Sequence, residues 1–240
     1  QKPKSRKVMQ RLANLESQGV QVNFSEAEFV NYNSKNIEKA TLKREVSKEF
    51  LENLRGTIYI VSGLPRSGTS MMMQLLHEGG AAVFTDGKRE ADDSNPKGYL
   101  EHEGIKKLAS NRKLIFEANG KVVKVVSPQL KFLMPHFRYK VIFMERKVEE
   151  VVASQHKMSG KDKSSYPFKL VDFYKKQLEE VKGSTLSQLH IETIFIDYSC
   201  AINEPQKVIF ELNAFLPELN LDLQKMKGVI DQSLHRNKMG

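Results

Sequence analysis

The stretch from Gly56 to Glu78, GTIYIVSGLPRSGTSMMMQLLHE, constrains the chain more than any other. Gly56 to Gly63 is a short β-branched and aromatic run closed by glycine, the pattern of a strand buried on both faces of a parallel sheet. Ser70 to Glu78 reads as a helix, ended by Gly79 and Gly80. Between the two lies the loop Gly63-Leu64-Pro65-Arg66-Ser67-Gly68-Thr69-Ser70. Where a strand turns into a helix, unbonded backbone N–H groups and the helix dipole attract an anion, and glycine at 63 and 68 lets the backbone come close to it.

The loop keeps the two glycines and the hydroxyl of a Walker A loop, but Thr69 stands where that loop has its lysine. An NTPase needs that lysine on the β- and γ-phosphates, so hydrolysis of ATP or GTP is disfavoured. Positive charge sits inside the loop instead, at Arg66, suited to the terminal group of a shorter anhydride such as a phosphosulfate. A P-loop nucleotide kinase or another ATP-using enzyme is the main rival, because a strand-loop-helix unit does not name its nucleotide.

Further along, strands are predicted at Ala82 to Thr85, Lys121 to Val126, Tyr139 to Met144 and Ile191 to Ile196. Helices are predicted at Glu101 to Phe116, Val148 to Met158, Tyr166 to Val181 and Pro205 to Phe215, with a polar loop from Asp86 to Gly98. The alternation predicts an α/β fold with a central parallel sheet flanked by helices on both faces. Met71-Met72-Met73 reads as packing against that sheet. Residues 1 to 56 are polar and lysine-rich, with Val8, Leu12, Leu15 and later Leu42, Val46, Phe50, Leu51 and Leu54 at helical spacing. They predict a helical N-terminal extension packing on a main domain that runs from 57 to 240.

The net charge of +9 fits an anionic ligand, nucleic acid or a membrane surface. The excess is spread along the chain, there is no tryptophan, and no aromatic-basic RNA signature occurs, all of which weigh against a non-catalytic nucleic-acid-binding protein. Cys200 is the single cysteine, which excludes an intrachain disulfide and a cysteine-rich metal site. A reducing, cytoplasmic setting is expected, and no apolar stretch reaches the roughly 18 residues of a membrane span.

On the loop residues the chain resembles the PAPS-dependent sulfotransferase superfamily, where PAPS is 3′-phosphoadenosine 5′-phosphosulfate. The 5′-phosphosulfate loop of that superfamily has the form Pro-(Lys/Arg)-Ser-Gly-Thr, here Pro65-Arg66-Ser67-Gly68-Thr69, with Ser70 following. The chain is similar in particular to largely bacterial sulfotransferase-like proteins with a GLPRSGTSMMMQ opening and an NPxGY-E segment, here Asn95 to Glu101. The likeness covers roughly Thr57 to Phe215.

This resemblance implies a P-loop-type three-layer sandwich and transfer of the sulfuryl group of PAPS to a hydroxyl or amine. Adenosine 3′,5′-bisphosphate would be the product, and no metal is required. It implies contacts to the 3′-phosphate from an Arg after a later strand and a Ser eight residues on, here Arg146 and Ser154. Arg236, near the end of the chain, corresponds loosely to an element that closes over that phosphate. Lys124 takes approximately the place of a strand lysine that adds charge near the donor. The usual histidine base two residues later is replaced by Val126. Other branches use a carboxylate after the first helix, which points to Asp86, with Arg89 as companion. Glu101, beside Tyr99, is a second candidate base. The acceptor is expected to be a small molecule, lipid or carbohydrate, not nucleic acid. Asp86 to Tyr99 and Gly160 to Pro167 would form the rims of its pocket.

Overall fold

In the computed structural model, which describes residues 49–89, 98–158 and 167–229, the run predicted as a strand is β1 (Thr57–Gly63), buried from Ile58 onward. Its neighbours are β2 (Val122–Lys124) on one side and β3 (Arg138–Glu145) on the other, with β4 (Ile191–Asp197) beyond β3. The order is β2-β1-β3-β4 and every pairing is parallel. β1 pairs with β3 along its whole length, from Thr57 opposite Arg138 to Gly63 opposite Met144, but with β2 over only three positions.

Side chains alternate across each strand, so the continuous apolar run of β1 supplies two cores at once. Ile58 and Ile60 join Val123, Tyr139, Val141 and Phe143 on one face. Tyr59 and Val61 join Ile142, Met144 and Ile196 on the other. That second face is covered by Met72, Met73, Leu75 and Leu76 of α1 (Thr69–Glu78), which makes the methionine run core packing. The remaining helices are α2 (Val148–Met158), α3 (Phe168–Glu180), α4 (Tyr198–Asn203), α5 (Pro205–Phe215) and α6 (Leu223–Lys227). The fold is therefore an α/β sandwich around a parallel sheet, as the alternation predicts. Among the described residues, no helix is long and apolar enough to cross a membrane.

The chain divides into two units, Gln1–Arg55 and Gly56–Gly240. Of the first, residues 49–52 are helical. The remainder of the predicted N-terminal helices lies outside the described residues, as do Arg236 and most of the Gly160 to Pro167 rim.

Three expectations need correction. The helix predicted from Glu101 to Phe116 is two 3₁₀ turns, Glu103–Lys107 and Arg112–Ala118. Ser110 Oγ donates to the Lys107 carbonyl at 2.9 Å and Asn111 leaves the helical region at φ −137°, the usual competition of Ser and Asn with helical backbone. The strand at Ala82 to Thr85 is a single bridge between Val83 and Val122, because Thr85 turns away to bond the Glu101 carbonyl at 2.7 Å. The strand at Lys121 to Val126 is shortened to β2, and a 3₁₀ turn over Ser127–Phe132, with Pro128 in its opening positions, follows it.

Candidate functional site

The connection leaving β1 runs to β2 on one side of the sheet, whereas the connection leaving β3 runs to β4 on the other. The crevice at the carboxyl ends of β1 and β3 is thus a topological switch point, where open α/β sheets bind ligands. The 63–70 loop follows β1 there and Arg146 follows β3.

Local backbone chemistry shapes the loop. Gly63 has φ +146°, and a Cβ on it would sit 2.4 Å from Ser67 Oγ and 2.7 Å from the Met144 carbonyl oxygen. Gly68 has φ +100°, and a Cβ there would meet the Tyr198 ring at 2.5 Å. Arg66 lies in the left-handed region at φ 76°, a conformation costing a non-glycine residue roughly 1–2 kcal/mol. Its surroundings hold it there. Arg66 Nε donates to Ser154 Oγ at 3.1 Å, and its carbonyl accepts from Arg146 Nη1 at 3.3 Å. The preceding Pro65 carbonyl accepts from Gln155 Nε2 at 3.0 Å, and Tyr174 in turn donates to Gln155 Oε1 at 3.0 Å.

Gly68 is the N-cap of α1 and supplies no side chain to its first N–H groups, and no acidic residue occupies the first turn. Ser67 Oγ is buried without a hydrogen-bond partner among the described residues. An uncapped helix start beside an orphaned hydroxyl suits an anionic group that accepts hydrogen bonds. The residues present therefore fit a phosphate or sulfate ester.

On the β3 side, the Arg146 side chain is 7% exposed. Its Nε donates to Glu150 Oε2 at 3.0 Å, and its guanidinium carbon stands 4.3 Å from the centroid of the Tyr198 ring. Tyr198 therefore touches both the loop, at Gly68, and Arg146. Neither Tyr198 nor Gln155 stands out in the sequence. The available signal for Tyr198 is its place directly after the carboxyl end of a parallel strand.

On the β2 side, Lys124 is opposite Val61 in the sheet. Its Nζ donates to Ser70 Oγ at 2.9 Å and to Glu101 Oε1 at 2.6 Å. The other oxygen of Glu101 is 3.2 Å from Arg89 Nη1 and 3.2 Å from Lys106 Nζ. The Arg89 guanidinium lies 3.4 Å above the centre of the Tyr99 ring. Burial alone raises the Glu101 carboxyl, but the charge and hydrogen bond of Lys124, then those of Lys106, outweigh it and bring it down to about 2. The Lys124 ammonium also falls below its ordinary value. Burial depresses it more than Glu101 restores it, and Arg89 and Lys106 repel it.

Asp86 occupies a different position. Its Oδ2 accepts the Glu103 N–H at 2.9 Å and its Oδ1 the Lys88 N–H at 3.3 Å. Burial raises its carboxyl, and those two backbone bonds reverse the effect, so it lies below the usual carboxylate range. His102 stacks on Phe84 with ring centroids 4.6 Å apart, and its Nδ1 accepts the Gly104 N–H at 3.1 Å. A nitrogen that accepts carries no proton, so its 3.8 Å approach to Asp86 is proximity, not an ion pair.

Neither a protein-family model nor a curated protein sequence matches the chain. Among solved structures it is similar to the crystal structure of sulfotransferase STF1 from Mycobacterium tuberculosis H37Rv. The TM-score is 0.48 and the identity 14%, covering 79% of this chain and 75% of that one. It is also similar to a sulfotransferase domain from the curacin biosynthetic pathway, with a TM-score of 0.41 and 17% identity, covering 75% of this chain and 89% of that one.

Proposed function

We propose that the protein is a sulfotransferase that moves the sulfuryl group of PAPS to a hydroxyl or amine acceptor. The observation that carries this reading is the presence of two separate cationic poles flanking one uncapped helix start. Arg66 and Arg146, with Ser154, come together on the β3 side of the loop, and Lys124 reaches Ser70 from the β2 side. A ligand with anionic groups at both ends suits such an arrangement, and a Walker-type triphosphate site would instead have a lysine at position 69.

In this reading the backbone from Ser67 to Ser70 and the Ser67 hydroxyl hold the 5′ end of the donor. Arg146 and Ser154 hold the 3′-phosphate, and Arg66 bridges the two regions. When bound, the donor supplies a sulfuryl group whose bond to the phosphate oxygen breaks as a bond to the acceptor forms. Lys124 and the start of α1 stabilise the charge that gathers on the leaving phosphate. The acceptor proton passes to Asp86, a carboxylate that keeps 12% exposure and whose nearest cation among the described residues is Lys88, at 4.0 Å.

Thermal unfolding with adenosine 3′,5′-bisphosphate and, separately, with Mg-ATP tests the donor. At a hundredfold excess over Kd, the bisphosphate should add about 2.7 kcal/mol and Mg-ATP nothing. The reverse result would replace this reading with the ATP-using one. Transfer of label from radiolabelled PAPS across acceptor classes tests the reaction. Arg66→Ala should abolish transfer, and Asp86→Asn should lower kcat more than it raises KM. Transfer that survives Arg66→Ala would refute the site.

A further inference from the structure

Lys124 sits at the carboxyl end of the sheet, with its side chain only 10% exposed, and a lone ammonium there would lose water without compensation. It meets one carboxylate, Glu101, itself 9% exposed, at 2.6 Å. On the other side of Lys124 is the Ser70 hydroxyl at 2.9 Å, at the first turn of α1. Glu101, Lys124 and Ser70 thus form a line that ends at the phosphate loop.

The segment bearing Glu101 is fastened independently of that line. Its carbonyl accepts from Thr85 Oγ1 at 2.7 Å and from the Asp86 N–H at 3.3 Å, while Arg89 and Lys106 clasp the outer carboxylate oxygen. The other charges near Lys124 are those two cations, and the Tyr99 ring lies 5.9 Å from its Nζ. Among the described residues, Glu101 is the sole acidic side chain recorded in contact with Lys124. Two cations raise the cost of charge at Lys124 and one anion lowers it, so removing the anion would tip the amine toward its neutral form.

We infer that Glu101 is the counter-ion that keeps Lys124 charged and aimed at the phosphate loop, a positioning residue acting through Lys124 and not the proton acceptor of the reaction. This inference deepens the sulfotransferase reading and rests on it. Glu101 has three cationic contacts, and the one to Lys124 cannot be given up to an acceptor hydroxyl without unpairing a buried charge.

The sign of the pH effect follows from linkage. A buried lysine with a depressed pKa binds fewer protons folded than unfolded, so stability rises with pH between the depressed value and the ordinary one, near ~10.4. Without Glu101 the lower edge of that window moves down. Melting temperatures are to be measured from pH 6 to 10 for the wild type, Glu101→Gln, Glu101→Asp, Lys124→Met and the Glu101→Gln/Lys124→Met double variant.

Glu101→Gln should melt roughly 5–10 °C below the wild type near pH 7 and regain much of that by pH 10. Glu101→Asp should recover part of the loss, and Glu101→Gln should add nothing in the Lys124→Met background. A deficit that is constant with pH, or that persists undiminished without Lys124, would overturn the inference. Adenosine 3′,5′-bisphosphate binding is followed in parallel. It should weaken roughly tenfold in Glu101→Gln between pH 7 and pH 9, as the ammonium is lost. If no variant and not even the wild type binds the bisphosphate while the pH pattern holds, the Glu101–Lys124 coupling stands and the donor assignment fails.

Discussion

At the scale of single residues, the loop is held in shape by exclusions as much as by bonds. Gly68 must take φ +100° and leave room for the Tyr198 ring, whereas Arg66 takes φ 76° against its own preference. Gly68→Ala should cost roughly 2–4 kcal/mol, from the backbone strain plus the clash with Tyr198. Thermal unfolding will measure it, and pairing the change with Tyr198→Ala should return only the strain part. An equal cost in both backgrounds would show that the ring does not matter. Some of this was legible in advance. Glycine at 63 and 68, the hydroxyls, and the eight-residue interval from Arg146 to Ser154 are visible in the sequence. The direction of Arg66 was not. Its side chain bonds Ser154 Oγ from a left-handed backbone that residue identity does not disclose.

Elements formed where periodicity was long and failed where it was short. Val148–Met158 and Pro205–Phe215 have the predicted limits, since each shows several apolar positions on one face. The six-residue α4 went unrecognised because it is too short for a period to register. A cap marks it instead: Asp197 Oδ1 accepts the Cys200 N–H at 2.8 Å. That cap immediately precedes Tyr198, so it fixes the residue that contacts both Arg146 and the loop. Asp197→Ala should destabilise the protein by about 1 kcal/mol and loosen bisphosphate binding more than that loss explains, whereas Asp197→Asn, which retains the acceptor, should stay near the wild type. Titration calorimetry on both variants decides this; equal binding in the two would remove the link between the cap and the site. The segment after Asp86 misled for the opposite reason. Its apolar positions imitate a helix, yet Ser110, Asn111 and the Asp86 carboxylate divert the backbone into 3₁₀ turns.

Across the whole molecule, stability is distributed unevenly over the sheet. β1 and β3 are paired on both sides and buried on both faces, whereas β2 is joined to β1 over three positions. Native-state hydrogen exchange should find the amides of β1 and β3 opening only with global unfolding, and those of β2 opening earlier through a local event. Uniform protection across all three strands would contradict this. The short hold of β2 has a further consequence, because Lys124 is its last residue. The Lys124 ammonium is mounted on the least firmly fastened margin of the sheet, while the arginines rise from its centre. On the sulfotransferase proposal, moderate warming should therefore silence turnover while the nucleotide is still gripped, so that the protein fails as a catalyst before it fails as a receptor.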